Sequence, residues 1–176
     1  TLGNAELKLA AKIEPEAKRA KIELDAQSLP LPFSAAGTAF KLSDFSGKGS
    51  FTAGELAFSE FESRAFDGSL SGNIRLRWGP AWALDGEILA RQVDVSKIAG
   101  PLLSSGRLEG KGAYSMRADA AEKLFAAARM EGNFVIQKGT VANVDMTRLL
   151  QGAATTGGST LFSEMGGSFA ADAARV

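Results

Sequence analysis

Residues 70–78, Leu-Ser-Gly-Asn-Ile-Arg-Leu-Arg-Trp, decide the fold class because apolar and polar residues alternate along them. Leu70, Ile74, Leu76 and Trp78 fall at every second or fourth position, and polar or charged residues stand between them. A period of two residues is typical of a β-strand with one apolar face and one solvated face. The segment therefore predicts a half-buried strand rather than a helix.

The same alternation recurs through most of the chain. It is clear in residues 7–13, 20–26 and 107–117, and the turn signal Asp67-Gly68 precedes the strand at 70–78. In 107–117 the apolar positions include Leu108, Tyr114 and Met116. The sequence predicts a mainly β protein with an antiparallel curved sheet or groove, arranged as a β-sandwich or as an open barrel.

Two strands depart from strict alternation. Phe61 breaks the pattern of the residues before it, which predicts a β-bulge near Ser59-Glu60. Residues 84–95 also have the composition of a strand, but Ile88 and Leu89 are adjacent. The alternation therefore leaves open which face of that strand points inward.

The period changes once, in residues 119–130. Asp119-Ala-Ala-Glu122 has the form of a capping box, Ala-rich residues follow, and Gly132 fits a helix stop. The pattern predicts one clear helix near 119–130. Shorter helices are expected near 96–103 and 147–152.

Composition excludes several kinds of chemistry. The 176 residues contain neither His nor Cys, so an imidazole base, a disulfide and a thiolate zinc site are all excluded. Twenty basic and 20 acidic residues give a formal charge of zero, which argues against broad nucleic-acid binding. The longest uncharged stretches, 26–40 and 149–163, are rich in Ser, Thr, Gly and Pro and do not resemble a membrane span. The chain opens at Thr1 without a signal peptide, so we expect a fragment of a larger protein, and we expect no cofactor.

A short internal repeat suggests an array of similar β-units. Residues 93–98, Val-Asp-Val-Ser-Lys-Ile, match residues 144–149, Val-Asp-Met-Thr-Arg-Leu, in residue class. The aspartates at equivalent positions, Asp94 and Asp145, are expected to cap a short helix or turn. A repeat near 50 residues is typical of stacked units rather than of one closed enzyme fold.

Residues 130–145, Met-Glu-Gly-Asn-Phe-Val-Ile-Gln-Lys-Gly-Thr-Val-Ala-Asn-Val-Asp, resemble the signature of the AsmA family. In that family a Gly-containing strand pair leads into a short helix, a loop and a further strand, to which residues 158–169 are similar. The resemblance covers residues 55–170. It implies an AsmA-like repeat region over 55–176, with residues 1–54 as N-terminal strands of the same structural domain.

The resemblance to the AsmA family also implies a place and a role. Such proteins belong to the envelope of Gram-negative bacteria, where an N-terminal helix anchors them in the inner membrane and a β-rich body lies in the periplasm. Relatives are proposed to carry phospholipid towards the outer membrane along apolar grooves. The chain would be a non-enzymatic periplasmic module, with phospholipid or another envelope lipid and adjacent repeats of the full-length protein as partners.

The apolar strand faces are the candidate binding site. On this hypothesis they line a lipid groove through Leu70, Ile74, Leu76, Trp78, Leu108, Tyr114 and Met116. The alternative is a closed core, covered by the 119–130 helix or by a second sheet. That alternative would make the chain a structural or docking domain with exposed edge strands.

Other candidate chemistries have simpler interpretations. The segment Gly106–Gly112 departs from phosphate-loop spacing and lies within an alternating strand. Carboxylates two residues apart are interpreted as solvated strand faces rather than as a calcium site or a glycosidase pair, and these are Glu14/Glu16, Glu60/Glu62 and Asp85/Glu87. A possible basic strip that could contact lipid phosphates is more simply a solvated face, and it consists of Arg75, Arg77, Lys111 and Arg117. No catalytic residue is assigned.

Overall fold

Nine antiparallel strands form one sheet in the computed structural model, which describes residues 7–35, 38–144 and 157–173. Each strand pairs with its neighbours in sequence, so the order across the sheet is β1 to β9, and the sheet does not close into a barrel. The predicted mainly β, antiparallel fold is confirmed. The strands are β1 (Leu7–Glu14), β2 (Arg19–Ala35), β3 (Thr38–Phe51), β4 (Glu55–Ala65), β5 (Gly68–Arg77), β6 (Trp82–Asp94), β7 (Leu103–Ala118), β8 (Arg129–Ala142) and β9 (Ser159–Asp172).

The register collects the apolar residues on one face of the sheet. Directly paired residues project to the same side, so a row of pairs across the strands shows the composition of that side. One row reads Phe51, Leu56, Leu76, Leu84 and Met116, and the next reads Ile22, Gly49, Phe58, Ile74, Gly86, Tyr114 and Met130. The residues between these positions are mostly charged or polar and occupy the other face. We call the two sides the apolar face and the polar face.

Part of the apolar face is a buried core. Phe45 and Val93 are each only 2% exposed. The described residues contain no second sheet, so these side chains pack against one another and against partly buried neighbours such as Ile98. The cluster comprises Ala26, Leu42, Phe45, Phe61, Ala65, Leu70 and Val93.

Two bulges keep the apolar residues on that face. Phe58 pairs with Ile74 and Phe61 pairs with Gly72, so β4 contains one extra residue at the predicted Ser59-Glu60 position. In β6 the apolar positions run from Leu84 to Ala90, and a second register shift between Ala90 and Val93 returns Val93 to the same side. The inward face of this strand is thereby assigned: Ile88 lies on the apolar face, and Leu89 on the polar face.

The predicted helix over 119–130 is wrong. This stretch forms two 3-10 turns, Ala121–Lys123 and Phe125–Ala127, and β8 begins at Arg129. The segment must connect the paired ends of β7 and β8, and the two 3-10 turns do so while burying Leu124, which is only 4% exposed. Both carboxylate oxygens of Asp119 accept hydrogen bonds from Lys123 Nζ at 3.1 Å, and no side chain caps either turn.

The other helical expectations have separate outcomes. One α-helix, α1 (Ser96–Ala99), lies within the predicted 96–103 region. The helix expected near 147–152 falls outside the described residues, as does Asp145.

Gly72 is required where two strands approach closely. A Cβ atom at this position would lie 2.0 Å from the backbone oxygen of Glu87 on β6. At Gly79, in the connection between β5 and β6, a Cβ atom would meet nothing within 4 Å. The two positions can therefore be compared directly, because a Cβ atom has no room at Gly72 and open space at Gly79.

We predict that Gly72→Ala lowers the free energy of unfolding by about 1–3 kcal/mol, because the added methyl group must displace the backbone of β6. Gly79→Ala should change it by less than about 0.5 kcal/mol. Urea denaturation followed by far-ultraviolet circular dichroism measures both. Equal stability of the two variants would contradict the close approach at Gly72.

Candidate functional site

All seven residues predicted to line a groove lie on the apolar face. Leu76 pairs with Leu84, which pairs in turn with Met116, so β5 and β7 contribute to one continuous surface across β6. Leu70 belongs to the buried core, and Ile74 and Leu108 pack against it. Leu76, Trp78, Tyr114 and Met116 lie further from the core and are partly exposed.

The apolar face extends beyond the strands that the sequence identified as the site. Met130 on β8 pairs with Tyr114, and Phe169 on β9 pairs with Gly132. These side chains are 37% and 36% exposed. The alternation Met130, Gly132, Phe134, Ile136 is the sequence signal that could have added β8 to the predicted site.

Tyr114 anchors the middle of the face. Its hydroxyl donates a hydrogen bond to the backbone oxygen of Asn73 on β5, at 2.9 Å. The side chain crosses β6 at Gly86, where a Cβ atom would lie 2.5 Å from the hydroxyl oxygen. Burial, and to a lesser degree the charge of Asp85, raises the pKa of Tyr114 to about 12. The polar end of this residue is thus satisfied inside the sheet, and its ring remains part of the apolar face.

Three aromatic residues end the face on the side of the β3–β4 and β5–β6 connections. The ring centroids of Phe51 and Trp78 are 5.7 Å apart, and those of Trp78 and Trp82 are 6.1 Å apart. Phe51 is 47% exposed. We call Phe51, Trp78 and Trp82 the aromatic end.

The predicted basic strip lies on the polar face, away from the groove residues. Arg77 forms an ion pair with Asp85, which lies diagonally across the β5–β6 ladder. Two further ion pairs are looser, Arg75–Glu55 at 3.9 Å and Lys111–Glu87 at 3.5 Å. Exposed pairs of this kind contribute little to stability. The arrangement favours the solvated-face interpretation over contact with lipid phosphates.

The remaining carboxylates have local structural partners. Glu14 at the β1–β2 turn contacts Lys21 Nζ and Arg19 Nε, each at 2.8 Å, and these cations lower its pKa to about 2. Asp94 Oδ1 accepts hydrogen bonds from the Ser96 hydroxyl at 2.6 Å and the Ser96 backbone N–H at 3.0 Å. These bonds hold the pKa of Asp94 below its usual value. The bonds to Ser96 agree with the expectation that Asp94 caps a turn, but the N-cap of α1 is Val95 and no side chain caps that helix.

The described ranges offer few other kinds of site. The glycines of the phosphate-loop look-alike, Gly106–Gly112, lie inside β7. Within residues 7–35, 38–144 and 157–173, no three carboxylates stand close enough to hold a metal ion. None of the helices described there is long and apolar enough to cross a membrane.

Comparison with protein-family models, curated proteins and solved structures gives no match to this chain.

We predict that Tyr114, the single tyrosine of the chain, ionises with a midpoint near pH 12. Because an unfolded tyrosine ionises near pH 10, the stability that burial of the neutral phenol provides is complete below pH 10. That stability is lost as the pH rises from about 10 to about 12. Tyrosinate absorbance near 295 nm measures the midpoint, with circular dichroism to verify the fold. Tyr114→Phe is the control, and a midpoint near 10 in the folded protein would contradict the burial of Tyr114.

Proposed function

We propose that this chain holds or conducts the acyl chains of phospholipid along its apolar face. On this proposal it is a non-enzymatic, periplasmic module of an AsmA-like protein that contributes to outer-membrane assembly. In the full-length protein an inner-membrane anchor would precede it, and adjacent repeats would be its partners. The observation that carries the proposal is an apolar face that runs across nine strands of an open sheet, with no second sheet covering it among the described residues.

The size and chemistry of the face suit an acyl chain. Strands lie about 4.8 Å apart, so nine of them make a surface on the order of 40 Å across. Each methylene group that moves from water to such a surface gains about 0.8 kcal/mol when fully buried. The charged residues of the central strands, such as Arg75 and Arg77, project from the opposite side. A lipid tail on the apolar face would therefore displace water without removing water from charged groups.

We predict that Met116→Glu abolishes lipid capture, because it places a carboxylate in the row formed by Leu76 and Leu84. Ser115→Glu is the matched control, since it introduces the same charge one residue earlier on the polar face. The chain is purified from bacteria without detergent and analysed by native mass spectrometry, followed by solvent extraction. Binding of a fluorescent phospholipid then gives affinities.

Wild type and Ser115→Glu should carry phospholipid, and Met116→Glu should not. Circular dichroism establishes that Met116→Glu remains folded, as expected for a side chain that is already partly exposed. Equal lipid capture by the two variants would mean that this row is not the binding surface. A lipid-free wild type that also fails to bind the fluorescent phospholipid would refute the proposal.

The sheet edges favour a second candidate function, in which the chain is a docking domain whose edge strands pair with strands outside this sheet. In the described part of the chain, β1 pairs only with β2, and β9 only with β8. The edge strand β1 exposes Leu7, Leu9 and Ile13. Open edges of this kind accept a further strand. Sedimentation equilibrium separates the candidates, because a lipid-free chain that associates at micromolar concentration would support docking.

A further inference from the structure

The aromatic end differs from the rest of the apolar face in its position and its neighbours. Phe51 is the last residue of β3, Trp82 is the first of β6, and Trp78 directly follows β5. All three lie in line with apolar-face positions, since Phe51 pairs with Leu56 and the tryptophans lie two residues from Leu76 and Leu84. The apolar face therefore continues off the end of the strands as a cluster of rings.

The two hairpin tips that bear these rings contain no charged residue. Residues 49–54, Gly-Ser-Phe-Thr-Ala-Gly, and residues 78–84, Trp-Gly-Pro-Ala-Trp-Ala-Leu, are free of Asp, Glu, Lys and Arg. The Trp78 backbone N–H donates to the Gly54 oxygen at 3.0 Å, and the Thr52 N–H donates to the Glu55 oxygen at 2.8 Å. The first bond joins the two tips to each other, and the second closes the β3–β4 turn.

The opposite end of the sheet carries charged residues. There the β4–β5 turn carries Asp67, which forms an ion pair with Lys97 of α1. A surface that enters the headgroup region of a membrane must remove water from its own groups, and a charge makes this costly. The uncharged tips avoid that cost, and the opposite end would incur it. The β1–β2 and β7–β8 connections, which flank the tips at the same end, would also incur it because they carry the ion pairs Glu14–Arg19 and Asp119–Lys123. The contact is therefore limited to the β3–β4 and β5–β6 tips.

We propose that the aromatic end rests on a lipid bilayer, with Phe51, Trp78 and Trp82 inserted at the boundary between headgroups and acyl chains. Tryptophan is enriched at this depth because its ring is apolar and its indole N–H is polar. A lipid tail that leaves the bilayer here would meet Leu56, Leu76 and Leu84 next, with no charged residue between. This route rests on the proposed function, but contact with the bilayer is measurable without it.

The chain has only two tryptophans, and both belong to the aromatic end. Its intrinsic fluorescence therefore reports on this end alone. Phosphatidylcholine vesicles should shift the emission to shorter wavelength, and phosphatidylcholine brominated on its acyl chains should quench it. Because the tips are neutral, the effect should persist at high salt, where electrostatic adsorption is screened.

Variants at the two ends of the sheet test the location of the contact. Phe51→Glu should weaken co-sedimentation with these vesicles by about tenfold or more, a loss of at least about 1.4 kcal/mol of binding free energy. Leu102→Glu is the control, because Leu102 follows α1 at the opposite end and is 69% exposed. Circular dichroism shows that both variants are folded.

The outcomes separate this inference from the proposed function. Quenching that persists when the wild type takes up no fluorescent phospholipid would refute lipid capture and support the bilayer contact. Normal lipid uptake with no shift or quenching would overturn the bilayer contact alone. Binding that requires anionic vesicles and is lost at high salt, or that falls equally in Phe51→Glu and Leu102→Glu, would also overturn it.

Discussion

The hydrogen-bonded ladder between neighbouring strands is the interaction on which the rest of this structure depends. Because paired residues project to the same side, the ladder converts alternation along the chain into two faces of opposite character. A slip of one residue would move a whole strand's apolar set to the polar face. The bulges in β4 and β6 correct two such mismatches, at Phe61 and Val93. They preserve a continuous apolar face where strict pairing would interrupt it.

One part of the apolar face is a buried core, and the rest is partly exposed to solvent. The buried cluster around Phe45 and Val93 lies among β2 to β6, and α1 contributes Ile98 to its surroundings. The aromatic end and the outer strands keep apolar groups partly exposed. A chain with a core confined to one part of its sheet can tolerate water or a ligand on the remainder. The proposed function uses the remainder, and the buried core stabilises the sheet that carries the face.

Much of the strand structure could be predicted from the sequence, because period-two alternation is a local property. It identified the apolar face of β5 and β7 and the bulge beside Phe61. The segment after Asp119 was misassigned, since its alanines and capping pattern favour a helix locally while the β7–β8 pairing prevents one. The inward face of β6 could not be predicted from the sequence, because it depends on a bulge that is visible only in the register with β7. The partners of Arg75, Arg77 and Lys111 were not predictable for the same reason, as they lie on neighbouring strands.

The strict sequence order of the strands has a consequence for how such a chain can change in length. Among the described strands, each forms backbone ladders only with the strands before and after it in sequence, so removing one adjacent pair leaves every other ladder able to form. Removing a single strand would reverse the direction of every strand after it. The connections between those strands would then lie at the opposite end of the sheet. The two related sequence segments begin at Val93, near the end of β6, and at Val144, shortly after β8, and they are 51 residues apart. A gain or loss of two consecutive strands therefore changes the breadth of the sheet and leaves the direction of every remaining strand unchanged.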